Sequence, residues 1–240
     1  GPMLESPSAD RARRRRRGLQ SLAGSIAIAL AALAATLSAV GVHAAWDSDR
    51  WLHQASRLGS PVQHQAQALV EVIQQGARLD DEARLTLINQ FVNRRILFRE
   101  DIEVWNQVDY WASPLESLAR GAGDCEDYAI AKYFALMASG TPVARLRLVY
   151  VRAVLGGPGG AQQAHMVLAY YPPSGAEPLI LDNLIGDIRP ASRRPDLTPV
   201  FSFNSEGLWQ GTQGPGAGDP TVRLSRWREV LAKAREQGFL

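Results

Sequence analysis

An α+β domain is the fold class this sequence predicts, with helices first and an antiparallel sheet after them. Apolar residues recur at helical spacing up to Ser139, and beyond Thr141-Pro142 the period drops to two with β-branched residues enriched. Helical segments followed by a run of strands suit a sheet with helices packed on one side. Roughly 195 residues follow the N-terminal leader, a length that suits one core.

The leader comes first. Gly1-Pro2 ahead of Met3 reads as a cloning scar, followed by Arg11 and Arg13 to Arg17, then an apolar stretch from Leu19 to Val42. A basic segment, an apolar segment and Val42-His43-Ala44 before Ala45 make a secretory signal peptide, with cleavage expected after Ala44. The apolar stretch is long enough to serve instead as an uncleaved anchor. The expected organisation is therefore 1–44 as scar and signal, and 45–240 as a single domain.

Two helices are predicted next, from Pro61 to Arg78 and from Asp80 to Phe98, with Val62, Ala66, Leu69, Val70 and Ile73 on one stripe and Leu85, Leu87, Ile88, Phe91, Val92 and Ile96 on the other. The aromatic, irregular segment Arg99 to Ser113 ends at Ser113-Pro114-Leu115-Glu116. There Ser caps a short helix, Pro is its first residue and Glu116 returns the cap. A further helix is expected from Asp124 to Ser139, closed by Gly140. Strands are predicted at Leu146–Val154, His165–Tyr171 and Leu179–Asp182, with a glycine-rich loop from Leu155 to Gly160. Ile185 to Pro220 is rich in Pro and Gly and reads mostly as loop. A last amphipathic helix runs from Ser225 to Glu236. No internal repeat is visible.

Chemistry concentrates at Gly121-Ala122-Gly123-Asp124-Cys125-Glu126-Asp127-Tyr128, which holds the one cysteine. A lone cysteine forms no internal disulfide, and a free thiol in an exported protein is a liability unless used. At a helix N-terminus it meets unpaired N–H groups and the positive end of the dipole, which favour thiolate and can hold an oxyanion. The backbone N–H of Cys125 is one such donor. The bland alternative is a core-filling thiol beside ordinary first-turn acids.

Of four histidines, His43 belongs to the leader, and His53 and His64 stand in polar helical surroundings. His165 opens an apolar strand after the glycine loop, and a hairpin can bring Asp182 beside it, with Asp187 a nearby alternative acid. A thiol, a base and a carboxylate that orients the base are what nucleophilic acyl transfer requires. Cys125, His165 and Asp182 are accordingly the expected catalytic residues.

Gly123-Asp124-Cys125-Glu126-Asp127-Tyr128-Ala129, Ala164-His165-Met166-Val167-Leu168 and Leu179-Ile180-Leu181-Asp182-Asn183 resemble the motifs of the bacterial transglutaminase-like cysteine proteinases. The likeness, which extends from Leu85 to Leu208, is to the periplasmic members that trim large surface adhesins. It implies a papain/transglutaminase-like core with the nucleophile at a helix start. It also implies calcium held by Asp124, Glu126 and Asp127, a large surface adhesin as substrate, and sequestration by the periplasmic part of an inner-membrane cyclic-di-GMP receptor. Carboxylates next to Cys125 would disfavour its thiolate, and a hard cation would offset them. The spacing is not that of an EF-hand loop.

The leader carries six Arg against Glu5 and Asp10, a net +4 in a chain of +2 overall, so the remainder is net negative. The alkaline balance belongs to the export signal, and no nucleic-acid partner is expected. Two other readings of the same residues stay open: a transglutaminase or amidase on this core, and a non-catalytic calcium-dependent peptide binder.

Overall fold

The computed structural model describes residues 46–240. The predicted signal peptide lies outside the described residues. No helix among them is long and apolar enough to cross a membrane.

The chain enters through α1 (Ser48–Ser56) and α2 (Ser60–Gly76), then α3 (Asp81–Arg95). α1 was not foreseen from periodicity, yet Trp51 fixes it: the indole is fully buried and donates to the Ala66 carbonyl of α2 at 3.0 Å. Asp80, expected as the first helical residue, instead caps α3 by accepting from Ala83 N–H. The helix stops at Arg95 rather than continuing to Phe98, because Ile96 is extended and Leu97–Phe98 form a strand, β1. β1 pairs in parallel with β2 (Ala122–Gly123), through Leu97 N–H to Gly121 O and Arg99 N–H to Gly123 O, both 2.9 Å. Between them lie α4 (Asp101–Trp105) and α5 (Pro114–Arg120). α5 has the predicted Ser113–Glu116 capping box, and Gly121 ends it at φ 62°, a left-handed conformation that glycine adopts without strain.

α6 (Cys125–Ala138) is the central helix. Ile130, Phe134 and Leu136 are buried in the main core with Trp227, Phe203 and Leu148. The sheet then follows as β3 (Leu146–Leu155), β4 (Ala161–Tyr170), β5 (Leu179–Leu181), β6 (Arg189–Pro190), β7 (Leu197–Phe203), β8 (Leu208–Gln210) and β9 (Gly216–Gly218). All pairings are antiparallel in the order β6-β5-β4-β3-β7-β8-β9. α7 (Pro220–Arg223) and α8 (Ser225–Glu236) close the chain.

The fold class is as predicted, but the sheet is wider. The segment expected to be mostly loop contributes β6 to β9. Pro199 explains part of the difference, since a proline inside a run argues against a central strand. Here it sits beside a register shift between Tyr150 and Val151, where a bulge relieves the missing donor. β4 also begins at Ala161, earlier than its apolar residues, because Ala161–Ala164 pair along Leu155–Arg152. Alternation splits the β3–β4 hairpin into two faces. Leu148, Met166 and Leu168 join the main core, while Val149, Val151, Val167 and Ala169 form a second cluster with Ile180.

Ser113 connects the helical layer to the C-terminus, since its Oγ accepts from both Glu116 N–H and Gln237 Nε2. Ser113→Ala removes the cap and leaves the buried Gln237 amide short of a partner, so a loss of about 1–2 kcal/mol is expected. Urea unfolding measures it directly, and an unchanged midpoint and slope would refute that role.

Candidate active site

The site forms where the start of α6 meets the middle of β4. Gly123 permits the local geometry. A Cβ there would meet Asp127 Oδ2 at 2.5 Å and Asp127 Cβ at 2.7 Å. With that space open, the Asp127 carboxylate folds back to accept from Asp124 N–H at 3.0 Å and from Ala112 N–H at 2.9 Å. Cys125 is thereby held as the first residue of the helix, partly exposed.

Its thiol donates to Glu126 Oε2 at 3.0 Å. Burial, the Glu126 charge and that hydrogen bond, and the Asp124 charge push the thiol well above its ordinary range, outweighing the N–H of Met166. The helix-terminus preference for thiolate is therefore overridden here by burial and the neighbouring carboxylates.

His165 and Asp182 are both buried, and His165 Nε2 lies 2.7 Å from Asp182 Oδ1. Asp182 Oδ1 also accepts from Leu184 N–H at 3.1 Å, and Oδ2 accepts from Arg194 Nη2 at 2.7 Å. Burial opposes its charge, but the hydrogen bonds and charges of His165 and Arg194 prevail and hold the carboxyl at about 2. Asp187, the alternative acid, stands at the surface 3.7 Å from Arg189. His53 and His64 are exposed on α1 and α2. Cys125 and His165 line one cleft of about 520 Å³, together with Glu126, Phe98, Gln163 and Leu184.

The acidic neighbours of Cys125 are distributed differently from their order in the motif. Carboxylate oxygens of Asp101, Asp124 and Asp127 lie within 4.8 Å of one another. Glu126 is not in that group; its carboxylate faces the thiol. Asp101 was missed in the sequence because it lies in the irregular aromatic segment, and only the β1–β2 pairing carries it beside α6. The Oδ1 atoms of Asp101 and Asp124 are buried without a hydrogen-bond partner. Burial, with the charges of Glu126 and Asp127, pushes Asp124 up to about 11, and burial pushes Asp127 up to about 7. Orphaned, crowded carboxylate oxygens fit a hard cation with oxygen ligands.

Residues 63–196 match the family described as bacterial transglutaminase-like cysteine proteinase, BTLCP, a span that includes Asp101, Cys125, His165 and Asp182. The chain belongs to this family. Among solved structures, it resembles Legionella pneumophila LapG in an EGTA-treated form, with 36% identity, TM-score 0.68, and coverage of 78% of this chain and 97% of that one. The calcium-bound form of the same Legionella protein is similar at 35% identity and TM-score 0.66, covering 78% and 98%. No curated protein sequence matches the chain.

The crowded carboxylates beside the thiol predict a pH response. Asp127 and Asp124 have raised values when folded, so their contribution favours the fold below about pH 4 and is lost as pH rises, through about 7 for Asp127 and through about 11 for Asp124. Asp182, lowered to about 2, contributes in the opposite sense and is lost only as pH falls below about 4. The chelator-treated protein should therefore melt at progressively lower temperature between about pH 5 and pH 7, above which buried Lys132, lowered to about 7, works in the opposite sense. A melting temperature that climbs over that interval would contradict the cluster's electrostatics.

Proposed function

We propose that the protein is a calcium-dependent cysteine endopeptidase, exported to the periplasm, that cleaves a large cell-surface adhesin and so releases cells from a biofilm. The observation that carries the catalytic part is that His165, paired with buried Asp182, lines the same cleft as Cys125. Family membership and the 35–36% identity to LapG support the protease class. The adhesin, and restraint by the periplasmic part of a cyclic-di-GMP receptor in the inner membrane, rest on the motif resemblance. Periplasmic location rests on the leader as well.

With Asp182 ionised, His165 Nε2 carries the proton it donates to Oδ1, which leaves Nδ1 as the basic nitrogen. Nδ1 takes the Cys125 proton, and the sulfur attacks the scissile carbonyl carbon. The Cys125 backbone N–H, unpaired at the helix start, is a donor for the oxyanion. Collapse of the tetrahedral adduct expels the amine, which takes the proton back from Nδ1. Water, deprotonated by the same nitrogen, then hydrolyses the thioester.

Asp101, Asp124 and Asp127 would hold calcium, while Glu126 faces the thiol, and the ion's charge would offset the carboxylates that help keep the Cys125 proton in place.

Incubating the protein with surface proteins of its own cell and mapping new N-termini tests the reading. Cys125→Ala and His165→Ala should abolish cleavage, and Asp182→Asn should lower it by about three to four orders of magnitude. Undiminished cleavage by folded Cys125→Ala would end the assignment.

A separate expectation isolates the cation. Asp101→Asn relieves crowding when no cation is present and removes a ligand when one is. It should raise the melting temperature in chelator and shrink the increase produced by added calcium. An identical calcium increase in Asp101→Asn and the unsubstituted protein would remove Asp101 from the site.

A further inference from the structure

Arg194 lies outside the three catalytic residues, yet it is only 2% exposed and makes the closest contact to the far oxygen of Asp182. It sits in the coil after the short 3₁₀ turn Ala191–Arg193, with its backbone N–H donating to Ala191 O at 3.0 Å. The guanidinium grips Asp196 as a fork, Nε to Oδ1 at 3.0 Å and Nη2 to Oδ2 at 2.9 Å. The same Nη2 reaches Asp182 Oδ2 at 2.7 Å. Asp196 is itself tied to the sheet, since its carbonyl accepts from Val154 N–H at 2.9 Å.

A buried guanidinium is costly unless its geometry is well satisfied. The Asp196 fork stays within the 189–197 segment, and the backbone bond from Val154 N–H to Asp196 O already ties that segment to the sheet. The contact to Asp182 does something more. Asp182 Oδ1 is already occupied by His165 and Leu184 N–H, whereas Oδ2 has Arg194 as its one hydrogen-bond donor. Without it the carboxylate is free to turn about its terminal torsion, and the direction of the His165 hydrogen bond turns with it.

We propose that Arg194 is a positioning residue for the catalytic pair: it locks the plane and charge of Asp182, which holds His165 in the Nε2-protonated tautomer with Nδ1 free to serve Cys125. This rests on the reading of Cys125, His165 and Asp182 as a triad.

The other charged groups near Asp182 do not replace it. Lys132, from α6, is fully buried and feels the Asp182 charge, but its Nζ has no hydrogen-bond partner. It therefore contributes a field without direction. Asp196, before β7, is negative and acts only through Arg194. Asn93 of α3 holds the backbone carbonyl of Asp182 at 3.1 Å, not its carboxylate. A guanidinium remains charged across the working pH range and offers fixed, planar donors.

The test uses the full chain with ¹⁵N-labelled histidine and added calcium, following the His165 ring nitrogens by NMR, assigned by their loss in His165→Gln. In parallel, the rate of Cys125 alkylation by iodoacetamide is measured, a clean readout because Cys125 is the only cysteine. The unsubstituted protein should show the Nε2-protonated form. Arg194→Gln should mix the tautomers and slow alkylation by about tenfold to a hundredfold, the scale of one charge-assisted hydrogen bond. Arg194→Lys keeps the charge but not the fork, and should fall between the two; it also decides the matter if Arg194→Gln does not fold. A purely structural staple would lower the melting temperature and leave the imidazole unchanged. Unsubstituted tautomer and alkylation rate in a folded Arg194 variant would overturn the proposal. The triad reading fails differently, by cleavage that survives Cys125→Ala.

Discussion

The buried carboxylate of Asp127 is the constraint on which the rest of the site depends. It closes the first turn of α6 on Asp124 N–H and reaches across to Ala112 N–H, joining the helix start to the segment that leads into α5. Gly123 is required by that closure, because any side chain there would occupy the carboxylate's place. The same arrangement sets Cys125 at the helix end and directs the Asp124 carboxylate away from capping, toward Asp101. Local backbone satisfaction and the acidic cluster are thus one structure, and its crowding follows from its tightness.

Charge is distributed asymmetrically over the site. Around Cys125, burial and Glu126 and Asp124 hold the proton on sulfur. Around Asp182, His165, Arg194 and the Leu184 N–H stabilise the anion. One half of the site resists ionisation and the other enforces it, so proton transfer depends on whatever offsets the carboxylates beside the thiol. On the proposed reading, the crowded acids would keep the thiol quiet until a cation offsets them.

The β3–β4 hairpin gives the site its rigidity. Ten residues of each strand pair without interruption, and both faces are covered, by α6 on one side and by the 189–197 segment near the other. His165 lies within this ladder opposite Val151, so the imidazole is carried by the most extensively paired part of the sheet. Cys125 comes from a helix terminus packed against the same hairpin, which leaves little freedom in how the two approach.

Much was legible in the sequence because it is encoded locally. Ser113 and Glu116 cap α5, Asp80 caps α3, and the periodicity of α2 and α8 marks their buried stripes, all through interactions within a few residues. Cys125, His165 and Asp182 stood out by residue type and by the element ends the sequence predicts for them, although His165 lies in mid-strand. What the tertiary structure alone decided was long-range. Two parallel backbone bonds between β1 and β2 bring Asp101 to Asp124, across a stretch whose irregular pattern offers no cue. Pairing with β3 makes a strand of a segment containing Pro199, since a bulge supplies the tolerance that propensity cannot foresee. Arg194 looks like any arginine in a Pro-rich loop until its guanidinium is seen buried against Asp182. The sequence by itself determined which residues could do the chemistry. Only the fold decided which charges they would face, because electrostatic energy depends on distance and burial, and neither follows from sequence separation.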